Sequence, residues 1–301
     1  MADRRLQVFH AVAKHLSFTK AADALFMTQP AVTFQIKQLE EHCSTRLFDR
    51  GHGHIALTPA GELVLDYAER ILSLSAELDT RLKEMTGEVA GALLIGASTT
   101  IAEYLLPQVL GEFASRYPKV LSRLFVANSE IVEHRVAEHT LDIGFIETAS
   151  HLASVASDVC CEDELQVVCA PSHPLAGLKS VSAKQLVQHP FVSREPGSGT
   201  REVTDNYFET QDVRHDSMKV VMELGSPEAL KGLVATGLGF AIMSRATVVK
   251  DVRFGQVVAV PLAPRLLRTL SVVYPREKFR SRLTNTFIEF AKQRLKAAAS
   301  A

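Results

Sequence analysis

The apolar positions change rhythm twice along the chain. Leu6, Phe9, Val12, Ala13 and Leu16 recur at helical spacing and predict a first helix with one buried stripe. Ser17 or Thr19 caps a second helix, whose stripe is Phe18, Ala21, Ala22 and Leu25. Phe26-Met27 break the pattern. Thr28 with Pro30 then starts a third helix, because an N-cap hydroxyl and a ring of preset φ both suit a first turn. That helix buries Val32, Ile36, Leu39 and Cys43. Two short helices about a tight turn, braced by the first, form a helix-turn-helix pattern. Behind them, Leu47-Phe48-Asp49-Arg50 and Ile55-Ala56-Leu57 flank Gly51-His52-Gly53-His54, which predicts a two-stranded wing.

Thr58 as N-cap, Pro59 and Glu62 open a longer helix. Its residues Ile71, Leu74, Leu78, Leu82 and Met85 step by 3, 4, 4 and 3 to Gly87. An amphipathic helix lying on the body would show the same stripe. A two-fold dimer seam is the preferred reading, since it presents two recognition helices to half-sites about one DNA turn apart. From residue 89 short apolar runs alternate with helical patterns: Leu93-Leu94-Ile95-Gly96, then a helix with Leu105, Val109, Leu110 and Phe113, then Leu124-Phe125-Val126, a helix from Ser129, and the run 141–146. A second series holds the runs 165–169, 191–193, 220–224, 240–243, 257–262 and 270–274, before a helix over 280–296. Such alternation predicts a parallel α/β sheet.

Composition narrows the class. The 301 residues carry 33 Lys and Arg against 34 Asp and Glu, with 47% hydrophobic residues, which suits two or three compact units and excludes an acidic disordered chain. No signal peptide or membrane span is expected, and four cysteines outside any CxxC spacing fit a reducing cytoplasm. The charge is unevenly spread: seven basic against five acidic residues up to Thr58, three against seven over 59–88, and 23 against 22 beyond. The head is only mildly positive, so bulk charge does not make the case for nucleic acid.

On the third helix Pro30, Thr33, Phe34, Lys37 and Glu41 point away from the predicted core. In a helix-turn-helix this face enters the major groove of double-stranded DNA. Thr28 and Gln29 stand at its N-terminal end; Gln29 can pair with adenine, Thr33 or Phe34 can meet a thymine methyl, and Lys37 suits a phosphate. A small bundle with a solvated face would share the stripes, but an aromatic at the centre of that face calls for a covering surface. Arg50 and His52 in the wing are available to phosphates. A His-Gly-His metal site lacks supporting Cys or carboxylates. In the body, hydroxyls and amides gather where strands end: Ser98, Thr99 and Thr100; Asn128 and Ser129; Thr148; Ser198, Thr200 and Arg201; and Ser226. Each reads as a helix cap or, collectively, as a cleft for a small anion, either a carboxylate or an inorganic oxyanion. No dinucleotide fingerprint, P-loop, nucleophile elbow or HExxH is present, so no catalytic residue, cofactor or metal is assigned. Cys160-Cys161 read as packing residues, and His173 and His189, each before proline, as turn residues.

The segments 18–25, 28–33, 35–41, 47–50 and 57–61 together resemble the N-terminal signature of LysR-type transcriptional regulators. The resemblance implies a winged helix-turn-helix over 1–58, a dimerisation helix over 59–88 and an effector-binding domain over 89–301. That domain is expected to resemble the type 2 periplasmic-binding-protein fold: one α/β subdomain over about 89–161 and 268–301, the other over about 162–267. A homodimer or homotetramer, promoter DNA and a small effector are the implied partners, with RNA polymerase a further candidate. Two departures stand out: Cys43-Ser44 replaces the family's frequent Leu-Gly, and Phe34 its frequent Arg. A solute-binding protein would have a similar body, but the helix-turn-helix head argues against it.

Overall fold

Each predicted stripe of the head closes onto the same small core. In the computed structural model, which describes residues 3–49, 55–84, 89–276 and 280–299, Arg4–His15 (α1), Phe18–Ala24 (α2) and Gln29–Cys43 (α3) bury Phe9, Val12, Phe18, Ala21, Val32, Ile36 and Leu39 together. Val8 and Ala11 complete the α1 face, whereas Leu16 leaves it: Leu16 ends the helix in the left-handed region at φ 44° and is half exposed. Ser17 is the α2 cap, accepting from the Lys20 N–H at 3.2 Å. Ser44 takes the left-handed cap of α3 (φ 51°) without a glycine, and the Ser44 and Thr45 N–H groups close onto the carbonyls of Glu41 and Glu40.

Glu40 then ties α3 to the wing, its Oε1 accepting from the N–H of Leu47 (2.8 Å) and of Phe48 (3.3 Å). The wing strands Phe48–Asp49 (β1) and Ala56–Leu57 (β2) pair antiparallel, and Phe48 inserts between Phe9 and Phe18. Arg50 and His52 lie outside the described residues. Thr58 fixes the junction with Pro59–Glu84 (α4): its N–H reaches the Leu47 carbonyl, its hydroxyl reaches the Arg46 carbonyl and accepts from the Gly61 N–H at 3.0 Å. A Cβ on Gly61 would overlap the Leu47 carbonyl oxygen, so only glycine lets α4 leave so close to the wing.

The chain divides into two compact units, Met1–Glu88 and Val89–Ala301. The second is built on one eight-stranded sheet. Its strands are Gly91–Ser98 (β3), Val120–Ala127 (β4), Ile143–Ile146 (β5), Val155–Cys169 (β6), Pro190–Arg194 (β7), Lys219–Leu224 (β8), Phe240–Ser244 (β9) and Val258–Pro275 (β10), in the spatial order β4-β3-β5-β10-β6-β9-β7-β8. The unit's α-helices are Thr99–Tyr104 (α5), Leu106–Arg116 (α6), Ser129–Ala137 (α7), Ala183–Leu186 (α8), Gly199–Thr210 (α9), Pro227–Ala235 (α10), Arg245–Arg253 (α11) and Arg282–Ala299 (α12). The expected parallel sheet is in fact mixed. β3 pairs parallel with β4 and β5, and β7 with β8 and β9, while β6 and β10 run antiparallel to each other and to their outer neighbours. These two strands are long, β6 starting at Val155 and β10 joining what the pattern split into two runs. They pass from one half of the unit to the other, with register shifts at Pro261/Leu266 and Leu270/Ser271. On one side of this crossing lies a core around Ile95, Leu106, Phe113, Phe145 and Phe287; on the other, one around Leu165, Phe191, Phe208 and Phe240.

Gly61→Ala is expected to lower the stability of the head by about 1–3 kcal/mol, the usual range for forcing atoms into a filled space. Urea unfolding of the variant against the wild type measures it, and equal stability would show that α4 leaves the wing by another path.

Candidate functional site

Two surfaces collect the predicted residues. The first is the outer face of α3. The Thr28 hydroxyl caps the helix by accepting from the Ala31 N–H (3.4 Å), and Gln29 and Pro30 are exposed beside it. Thr33 is half-buried, and its hydroxyl donates to the Gln29 carbonyl at 3.0 Å. Phe34 is 57% exposed, with Lys37 one turn further on, 3.7 Å from Glu41. The helix thus presents a row of small and amide groups, an uncovered aromatic ring and one cation.

The second surface is the junction of the two halves of the sheet. Ser98 caps Thr99–Tyr104 (α5), Asn128 caps Ser129–Ala137 (α7), Ser198 precedes Gly199–Thr210 (α9) and Ser226 caps Pro227–Ala235 (α10). Between them lies a group that the sequence reading passed over. Glu147, just past β5, is almost fully buried; its Oε1 accepts from the Ser98 hydroxyl (3.2 Å) and its Oε2 from the Thr200 N–H (2.9 Å) and hydroxyl (3.0 Å). The Ser129 hydroxyl accepts from the Glu147 N–H at 3.4 Å. The cradle expected to hold an outside anion therefore holds the chain's own carboxylate. A Cβ on Gly199 would stand 2.7 Å from the Glu147 Cβ, so glycine at the α9 start lets the two halves meet.

Arg268 of β10 closes the charge. Its Nη1 lies 3.1 Å from Glu147 Oε2 and donates to the Thr200 hydroxyl at 2.8 Å, while its Nε donates to Asp163 Oδ2 at 2.8 Å. Nη2 is also 2.7 Å from Asp163 Oδ2, close enough for charge attraction but poorly aimed for a hydrogen bond. The other Asp163 oxygen accepts from Ser244 at 2.7 Å. Burial alone would push the Glu147 carboxyl up; the Arg268 charge and hydrogen bonds from Thr100 and Thr200 outweigh it and hold the group below its ordinary value.

Other contacts join the same two halves. The Tyr104 hydroxyl bonds to Glu228 on α10; Glu228 meets Lys231 at 2.9 Å, and Lys231 meets Asp251 at 2.8 Å. Burial and Glu228 both raise the Tyr104 hydroxyl, so it remains a donor at neutral pH. Asn128 Nδ2 donates to the Pro196 carbonyl (3.1 Å) and the Glu130 N–H to the Gly197 carbonyl (3.2 Å).

Of the predicted set, Ser98, Thr100, Ser129 and Thr200 converge on Glu147, and Thr148 follows it in the chain. Arg201 does not join them: its guanidinium faces Glu223 (2.5 Å), Asp205 (3.5 Å) and the Arg194 carbonyl. The Ser226 hydroxyl is engaged in its helix cap (3.3 Å), and Ser198 Oγ is buried without a hydrogen-bond partner. Beside the cradle opens a small recess lined by Thr100, Arg194, Thr200, Pro227, Ser244 and Thr247. Arg194 was missed: its side chain is 6% exposed and gripped by Glu195 (2.8 and 3.1 Å) and by the carbonyls of Leu224 and Gly225 (3.2 Å each).

Comparison with known proteins now decides the family. Residues 4–62 match the model for bacterial regulatory helix-turn-helix proteins of the lysR family, and residues 86–296 match the LysR substrate binding domain. The chain belongs to the LysR family of transcriptional regulators. This LysR-type regulator is 34% identical to a protein of Porphyra purpurea described as "Probable RuBisCO transcriptional regulator", over 94% of this chain and 90% of that one. It is 36% identical to "Uncharacterized HTH-type transcriptional regulator YeiE" of Escherichia coli K12, over 95% and 96%. Among solved structures, the Synechocystis PCC6803 CcmR regulatory domain in complex with 2-PG is 29% identical and covers 67% of this chain and 96% of its own (TM-score 0.62). A full-length OxyR variant from Pseudomonas aeruginosa shares the fold at 20% identity, covering 98% of this chain and 94% of its own (TM-score 0.72). The protein is a DNA-binding regulator with an effector-binding domain of two α/β subdomains, not an enzyme. Among the described residues no helix is long and apolar enough to cross a membrane, and no three metal-ligating side chains are placed to hold an ion. Burial pushes the thiols of Cys160 up to about 12 and of Cys161 and Cys169 up to about 11, which keeps them unreactive at neutral pH.

A carboxyl held below its unfolded value stabilises the fold above that value, here 4.5, and loses the contribution as pH falls through the folded one. Glu147→Gln is therefore expected to cost about 3 kcal/mol at pH 7, because Arg268 loses one of its two buried counter-charges. The deficit should shrink as the pH is taken from about 7 to about 3. Urea unfolding across that range reads it, and a deficit independent of pH would remove the ionic role of Glu147.

Proposed function

We propose that paired heads of this regulator read an interrupted palindrome in promoter DNA in the cytoplasm, and that a small anionic effector beside Arg194 resets the angle between the subdomains. The observation that carries the first half is Phe34, an uncovered ring at the centre of the α3 face. Pairing of heads is supported by α4, along which Leu63, Tyr67, Ile71, Leu74, Leu78 and Leu82 are each 44–64% exposed. They extend the predicted seam towards the head at heptad-like spacing. A dimer built on it has two recognition helices, and two such dimers make a tetramer.

For the effector, the cradle of Ser98, Thr100 and Thr200 is occupied by Glu147, and a second anion there would meet like charge. An entering anion thus belongs on the Arg194 side, where the same Thr100 and Thr200 line the recess with Ser244. All three touch the buried charge network, so a ligand on them acts on the contacts that hold the subdomains together. The kinship with a regulatory domain solved with 2-PG supports a ligand of that size.

Phe34→Ala is expected to weaken binding to a duplex selected by the wild-type chain more than to a shuffled duplex, with a discrimination loss of about 1–3 kcal/mol. Equal loss on both contradicts base reading. In a thermal-shift assay of the full chain with 2-PG or inorganic phosphate at matched ionic strength, a true effector at about 100 times its Kd adds about 2.7 kcal/mol. That shift should vanish in Arg194→Lys and Thr100→Val; an undiminished shift in both sends the ligand elsewhere.

A further inference from the structure

The turn between α2 and α3 carries a second aromatic that the reading of α3 leaves out. Phe26 is 98% exposed, and its backbone stands in the left-handed region at φ 54°. Left-handed backbone disfavours side chains with a Cβ, and Asn or Gly suits it better than a bulky ring. Nor does the fold gain from a ring left in water. The turn is not loose: the Phe26 N–H bonds to the Asp23 carbonyl at 3.2 Å and the Met27 N–H to the Ala22 carbonyl at 2.9 Å. Backbone strain and full exposure therefore coincide at one fixed residue, the combination expected where a side chain is kept for contact outside the chain.

Its surroundings say what that contact is. Phe26 stands two residues before the Thr28 cap, and Thr28, Gln29, Pro30 and Phe34 are exposed beyond it, so the ring borders the end of α3 nearest the bases. From the start of α1, Arg4 donates to the Leu25 carbonyl at 3.4 Å and to Gln7 Oε1 at 2.9 Å, which holds a guanidinium one residue from the ring. An apolar face with a cation at its side matches the alternation of sugar and phosphate along a DNA strand more closely than it matches base edges.

We propose that Phe26 packs on a deoxyribose of the strand flanking the groove that α3 enters, with Arg4 on the neighbouring phosphate. The proposal rests on the reading of α3 as the recognition helix. Such a contact is blind to sequence and fixes the position of the helix rather than its choice of bases.

The test uses the full chain and two duplexes, one selected from a random pool by the wild type and one of shuffled sequence. Phe26→Ala and Phe26→Asn should lose on the order of tenfold in affinity on both, about what the buried area of part of a ring supplies, with no change in salt dependence. Arg4→Ala should weaken both and reduce the slope of log K against log salt by about 0.9. Phe26→Asn should melt at or above the wild-type temperature, since Asn tolerates the left-handed turn, so its lost affinity is not lost folding. Unchanged binding of both duplexes by Phe26→Asn overturns the proposal and leaves the ring to a protein partner. A loss confined to the selected duplex overturns it in favour of a base contact. If the wild type selects no duplex at all, it is the reading of α3 that fails, and this inference falls with it.

Discussion

The effector domain turns on one buried ion pair, Glu147 with Arg268 at 3.1 Å. Charges this far from water are tolerated only where partners replace the lost hydration. Here the partners come from separate places: Ser98 and Ser129 from the first subdomain, Thr200 from the second, Asp163 and Arg268 from the two paired strands that pass between them. Thr200 supplies two of the hydrogen bonds to the Glu147 carboxylate from across the junction, through its N–H and its hydroxyl. Thr100, Thr200 and Ser244, which line the small recess, are three of the groups that bond to this network.

In the head the governing constraint is different. Three of its turns end on left-handed residues that are not glycine, Leu16, Phe26 and Ser44, so the unit carries local strain around a compact aromatic core of Phe9, Phe18 and Phe48. Glu40 and Thr58 bind the wing and α4 to that core through backbone contacts, which fixes where the α3 face points without using any residue of that face. The exposed α3 face, Phe34 included, is thereby left out of the contacts that hold the head together.

How much of this was legible in the sequence follows from how local each cause is. Helix caps depend on three or four residues, and Thr28, Asn128 and Ser226 act as their neighbours predicted. The helix-turn-helix was legible for the same reason. The long strands β6 and β10 were not, because Asp158, Glu162, Asp163 and Arg268 interrupt their apolar runs, and a charge in a strand reads as its end until its partner is known. Glu147 went unread because nothing in its own segment shows that Ser98 and Thr200, both distant in the chain, bond to its carboxylate. Arg201 shows the converse: a fork beside a helix start, which Glu223 on the neighbouring strand draws away. Pairings between residues far apart in the chain are a property of the fold, not of the segment.

The bonds by which Glu147 clasps the two halves can be read at the amide of Thr200. As the second residue of α9 it has no partner within its helix, and its bond is to Glu147 Oε2 at 2.9 Å. Amide hydrogen exchange at Thr200 should be slow in the wild type and fast in Glu147→Ala, while the interior of α9, at Thr204 to Phe208, stays protected in both. Equal exchange at Thr200 in the two proteins would mean that the subdomains are held by other contacts and that Glu147 is a passenger in the cleft.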